Sequence, residues 1–418
     1  MGGTLALDRP IGQVVLSYAL MAFAGGRPIP DDFDPLAPET FESPHQTYEH
    51  LRGSCPVAHS SAYGGFWALT RYADVKAAAA DPGLFISSVR AVVPSDPRGT
   101  RRPPLNFDAP LHTPYRRAID RTLGKARLDR MAPKIREHAA RELQPLIERG
   151  HGDIALEFGG VYPACVAGEW LNLDSATVAE LGTTASEWVH AWRVRDLEVV
   201  NRTSEWMYGL ARSLLADRRL HLRPPAEDPA SSLLAQRYED AELNEEHMVG
   251  ALRQSLVVGL VAPPLLLGGM AIHLSRDAAL QEELRAKPEL VPAALEEFLR
   301  LYTPYRGFSR TVSHAVELHG RRIEPAEPVT LVYASANRDE SVFENPNEFR
   351  LNRPNIAHHL GFGRGPHRCA GMPLARLELR IALEELLALT RHFEVDGPIE
   401  PTLMPEVGAR SVPLRLLT

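Results

Sequence analysis

The chain has 418 residues, 44% of them hydrophobic, which is ample for a large core. Acidic residues (53) outnumber basic ones (46), and the resulting net charge of −7 argues against a nucleic-acid-binding role. The three cysteines, Cys55, Cys165 and Cys369, are too few for a disulfide framework and suit a reducing compartment.

Residues 11–24 are apolar, follow Arg9 and end in Ala-Phe-Ala, which imitates a secretory signal but is too short to span a bilayer. We treat residues 1–25 as an N-terminal extension and residues 26–418 as one domain. Residues 26–45, rich in Pro, Asp and Glu, read as an extended arm. Helix is expected around Tyr48 and over residues 73–80, with a strand at residues 66–69 between them. Residues 84–110 are proline-rich and read as a long, functional loop. From Pro114 to about Arg219 the pattern is helical, with breaks near residues 150–153 and 159–163. Helix resumes over residues 242–285 and 292–301. Residues 256–272 carry no polar side chain but contain Pro263, Pro264, Gly268 and Gly269, so they read as a buried core helix and not a membrane span. Residues 310–334 alternate like a hairpin turning at Gly320, and residues 374–389 form an amphipathic helix. The fold class is therefore mainly α with a minor β region.

The densest signal is Phe362-Gly363-Arg364-Gly365-Pro366-His367-Arg368-Cys369-Ala370-Gly371. It sets one cysteine among glycines and arginines at the start of a helix, where N–H groups and the helix dipole favour a thiolate. This stretch resembles the haem-ligating loop of the cytochrome P450 superfamily, in which the sulfur is the axial ligand of the iron and favours O–O cleavage. Other landmarks occur in matching order. Glu297 and Arg300 form an E-x-x-R pair on a helix, with Arg353 at the later position that locks with them. By spacing alone Glu49–Arg52 and Glu282–Arg285 look the same and read as solvated pairs. His112 and Arg116 match an H-x-x-x-R helix, and Arg310 and His367 match further partners of the haem propionates. The resemblance implies a single triangular domain holding haem b, with Cys369 as metal ligand and Phe362, Gly363, His367 and Gly371 around it. A zinc or redox reading of His367 and Cys369 lacks the further ligands such a site requires.

The resemblance fails at one place. Counting back without gaps from Glu297 lays Gly259, Val261 and Ala262 on the glycine, acid and threonine of the family's proton relay. Neither relay side chain is present, and Pro263 and Pro264 follow. Both prolines lack an N–H, so the carbonyls of Gly259 and Leu260 should lose their usual donors and be free to hold water. Residues 259–264 are thus the expected catalytic segment. The family layout implies a pocket lined by Phe85, Val89, Val92, Val258, Ala262 and Phe308, with Arg90 and Arg306 nearby and Trp188, Trp192 and Trp206 in a lid region. Arg117, Arg121, Arg364, Arg368 and Arg376 are expected to form a basic patch for an acidic ferredoxin or flavodoxin. The implied activity is cytoplasmic monooxygenation of a small or medium apolar molecule, aromatic ones included, with O2. The missing acid–threonine pair keeps three alternatives open: a peroxygenase, an oxidative-coupling or other non-monooxygenase enzyme, and a catalytically silent haem-binding protein.

Overall fold

A computed structural model describes residues 29–93 and 101–418, without the side chains at 41, 42 and 258. The expected N-terminal extension, residues 1–25, lies outside the described residues.

A helical body packs against a smaller sheet region. The sheet contains β1 (Val57–Ser60), β2 (Phe66–Leu69), β3 (Phe85–Ile86), β4 (Phe308–Val312) and β5 (Pro328–Leu331), in the order β1-β2-β5-β4-β3. Only β2 and β5 run parallel; the other neighbours are antiparallel. Between β4 and β5 a two-stranded extension, Val316–Leu318 with Arg321–Ile323, turns through His319 (φ 50°) and Gly320 (φ 73°). Two left-handed residues in a row give the tight hairpin turn whose twist matches the strands.

The helical body contains α1 (His112–Arg121), α2 (Lys125–Arg149), α3 (Gly159–Leu171), α4 (Ser175–Val194), α5 (Leu197–Leu220), α6 (Glu245–Val258), α7 (Ala262–Arg276), α8 (Val291–Leu301) and α9 (Met372–Leu389). Leu128, Met131, Ile135, Ala139, Leu143 and Leu146 of α2 form one buried stripe at helical spacing, against which α9 packs. These helices share one continuous core, and the sheet has its own around Trp67, Val75, Phe85 and Leu331.

Two local expectations are corrected. Residues 159–163 are not a break: a π-helical turn, Ile154–Phe158, runs directly into α3. Gly159 is there for close packing, since a Cβ on it would lie 2.9 Å from Pro264 Cβ. The Glu49–Arg52 pair is not solvated either. Arg52 is buried and donates to the Ser335 carbonyl (3.3 Å) and hydroxyl (3.1 Å) and to Glu340 (3.3 Å).

The long apolar helix is in two pieces. Asn244 caps α6 by accepting the His247 N–H (3.1 Å), and Glu245 and Glu246 face the positive end of its dipole. After Val258 the chain makes a short turn, with the Leu260 N–H donating to the Val257 carbonyl (3.0 Å). The second piece, α7, starts at Ala262 with Pro263 and Pro264 in its first turn. Val261 is its N-cap residue and makes no side-chain cap. The span Glu245–Arg276 is long and apolar enough to cross a bilayer, but it is mostly buried among the other helices. It is a core element, interrupted at residues 259–261.

Candidate functional site: a thiol at a helix N-terminus

Cys369 lies two residues before Gly371, the N-cap of α9. Its N–H donates to the Phe362 carbonyl (2.8 Å), which closes the loop. Gly363 (φ 69°) and Gly365 (φ 73°) adopt left-handed backbone, and a Cβ on Gly365 would meet the Ala79 carbonyl oxygen at 2.0 Å. Glycine is therefore required where the loop crosses the helix Tyr72–Ala80. Burial pushes the Cys369 thiol up, opposed by the N–H groups of Gly371 and Met372 and by the charges of Arg116 and Arg376. Cys369 is nevertheless accessible from solvent.

A second cluster stands beside this loop. His112 and His367 pack with ring centroids 4.6 Å apart. His367 Nε2 is 3.4 Å from the carboxylate of Asp108, which also accepts the N–H groups of Ser87 and Ser88 (each 2.9 Å). His112 Nε2 is buried and has no hydrogen-bond partner. Burial, then the neighbouring His367 and Arg116, lowers the His112 pKa to about 4. Arg310 is buried and donates one N–H to the Ser309 carbonyl (2.8 Å). An orphaned imidazole, a second buried imidazole and a guanidinium with N–H groups to spare suit carboxylates. Together with a thiol at a helix N-terminus they fit a haem and its two propionates. Arg116 is used differently from the other three. It pairs with Asp120 (2.8 Å) and donates to the carbonyls of Pro366 (3.1 Å) and Arg368, bracing the loop from α1.

Behind the loop Glu297 is fully buried between two arginines. Arg300 donates to it at 2.8 and 2.6 Å, and Arg353 at 2.9 and 3.2 Å. The carbonyls of Asn337, Pro346 and Glu348 take the remaining Arg300 donors, and those of Glu344 and Glu348 take two from Arg353. With its donors and acceptors matched, this buried network specifies one loop position.

The other expected residues are placed less uniformly. Val261 is buried, and the turn at residues 259–261 carries neither a carboxylate nor a hydroxyl. Val92 and Phe308 are partly buried. Phe85 is buried in the sheet core, and Val89 is 42% exposed to solvent. The Val258 side chain is outside the described residues. Arg306 is buried, with its Nε donating to the Glu406 carbonyl (2.9 Å). Trp188 and Trp192 stack on each other (5.9 Å), and Trp206 donates to Glu180 (2.7 Å).

Arg117, Arg364 and Arg368 are exposed, but Arg376 drops out of the expected basic patch. Glu296 accepts from it at 2.6 and 2.7 Å. Burial alone would raise the Glu296 carboxyl; hydrogen bonds from His359 and Arg376 outweigh it and bring the pKa to about 2. A depressed acid stabilises the fold above its unfolded pKa and loses that contribution as pH falls through the folded one. Urea midpoints should therefore drop between about pH 4.5 and 2, and Glu296→Gln should flatten that slope; an unchanged acid limb would contradict the assignment. Asp108, which anchors His367, had no motif to mark it, because only folding brings the two together.

The comparisons with known proteins agree with this geometry. A family profile described as Cytochrome P450 matches residues 271–414. Cyclomarin C epoxidase CymV of Salinispora arenicola (strain CNS-205) is 31% identical over 386 residues, covering 88% of this chain and 94% of that one. Linalool 8-monooxygenase of Pseudomonas putida is 28% identical over 377 residues, covering 85% and 91%. Among solved structures, Cytochrome P450 CYP109Q5 from Chondromyces apiculatus superposes with a TM-score of 0.83 at 26% identity, covering 92% of this chain and 98% of that one.

Proposed function

This chain belongs to the cytochrome P450 superfamily and is a haem-dependent monooxygenase, and from that premise we propose that it acts on a small or medium-sized, largely apolar organic substrate. In this reading residues 26–418 form one haem b domain in the cytoplasm, supplied with electrons by a ferredoxin or flavodoxin. The observation that carries it is the Cys369 thiol at the N-terminus of α9, braced by the Glu297 network.

Bound haem supplies oxygen activation and transfer. Cys369 would supply the thiolate that ligates the iron, its negative charge favoured by the N–H groups of Gly371 and Met372. His112, His367 and Arg310 would hold the propionates. The turn at residues 259–261 has the proton task. Pro263 and Pro264 have no N–H to give the carbonyls of Gly259 and Leu260, and water held there stands in for the acid and hydroxyl side chains. Replacing Pro263 and Pro264 by glycine should close the helix, slow turnover, and divert reducing equivalents from product to peroxide. NADPH-to-product stoichiometry and solvent isotope effects report this; unchanged coupling and kinetics would remove the proton role.

The bare distal segment also supports a second reading, a peroxygenase that does not need the relay. Turnover with reductase and isotopically labelled O2, compared with turnover on peroxide alone, decides between them. Label in the product at rates well above the peroxide reaction supports monooxygenation, and the reverse ratio supports the peroxygenase.

A further inference from the structure

Arg253 occupies the middle of α6, on a stretch whose neighbours Ala251, Leu252 and Leu256 are all buried. It is itself 1% exposed. Its guanidinium lies over the Trp188 ring of α4 (5.0 Å) and beside Tyr208 of α5 (5.6 Å), and Nη2 donates to the Ser204 hydroxyl (2.9 Å). Nε and Nη1 have no hydrogen-bond partner, and among the described residues no carboxylate pairs with the group. Trp188 Nε1 is buried without an acceptor too. Arg102 adds a second positive charge, and burial followed by that charge lowers the Arg253 pKa to about 9, which leaves it ionised at neutral pH.

A buried cation without a counter-ion is strongly unfavourable, and two aromatic faces offset only part of the lost hydration. Leucine or methionine would fill the site at less cost to stability. The unmet groups of Arg253 and Trp188 are all donors, so among the described residues the site lacks an acceptor that carries negative charge. Whichever Nη2 hydrogen Ser204 takes, the other completes a planar two-donor fork with Nε or with Nη1. A carboxylate matches such a fork. The distal turn at Gly259 is six residues further along, about 9 Å of helix rise.

We propose that Arg253, with Trp188 Nε1, forms an anion subsite between α4, α5 and α6 that binds the carboxylate of an otherwise apolar substrate. This rests on the reading of the chain as a monooxygenase and narrows its substrates to organic acids. It also places oxidation several carbons away from the carboxylate, because the distal turn lies beyond a stretch of apolar helix.

The test uses the haem-loaded protein and matched ligands, decanoate against decanamide and 4-propylbenzoate against 4-propylbenzamide. Affinity is read by the substrate-induced spin shift and, separately, by ligand-dependent thermal stabilisation, which requires no turnover. The acids should bind at least ~10-fold more tightly than the amides, a difference of the size a buried charge pair gives. Arg253→Met and Arg253→Gln should each erase that preference by weakening acid binding far more than amide binding, and the ligand-free Met variant should be at least as stable as the parent. Equal binding of acids and amides by the parent overturns the proposal. So does an acid preference that survives both substitutions, and so does stabilisation by chloride or inorganic phosphate alone. An acid preference without oxygen insertion would refute the monooxygenase reading and leave the subsite standing; oxygen insertion without acid preference would do the opposite.

Discussion

Cys369→Ser should yield a folded protein that has lost monooxygenation to background. The loop does not depend on the sulfur for its shape. The Cys369 N–H to Phe362 carbonyl bond and the left-handed Gly363 and Gly365 are backbone features, and serine is nearly isosteric with cysteine. What disappears is the axial thiolate and its electron donation. The reduced carbon-monoxide complex should lose the red-shifted absorption that a thiolate ligand gives. Far-ultraviolet circular dichroism should be unchanged, and thermal stability should fall only by the share that tight haem binding contributes. A variant that keeps the thiolate-type spectrum would show that the ligand lies elsewhere.

The largest stability effect is expected at Glu297. Glu297→Gln leaves Arg300 and Arg353 fully buried and facing a neutral amide. Breaking a buried pair by removing one partner costs about 3–5 kcal/mol. Against a typical total of about 5–15 kcal/mol, that loss should leave mostly apoprotein or aggregate. Replacing all three residues with apolar ones of similar size should cost at least as much, because the carbonyls of Asn337, Pro346, Glu344 and Glu348 then lose their arginine donors. Urea unfolding of the single and triple variants checks this; a single variant as stable as the parent would show that the network does not hold the fold.

The two E-x-x-R spacings that were not singled out show how far the sequence could be read. Glu282–Arg285 is a partly exposed pair, with Glu282 71% exposed, and Arg52 ignores Glu49 to bind Ser335 and Glu340 across the fold. Helical spacing says only that two side chains can meet; burial and third partners come from tertiary packing. Strand β2 and the turn at Gly320 were legible because their signals are local. Residues 159–163 misled because a glycine required by contact with Pro264 looks, in sequence, like a helix breaker. Arg253 did leave a trace, as the one cation within an apolar helical run, but its missing counter-ion is visible only when α4 and α5 are in place.

The start of α7 is also indifferent to its own N-cap. A polar N-cap is favoured because it accepts the N–H of the second or third helical residue. In α7 those residues are Pro263 and Pro264, which have none to offer. An apolar Val261 therefore forfeits nothing as N-cap, and the prolines strand no donors of their own. Each feature removes the cost of the other: the prolines leave a polar N-cap nothing to accept, and an apolar N-cap leaves no donor unmet. Threonine at 262 or an acid at 261 alone would therefore add a side chain without closing the interruption at residues 259–261.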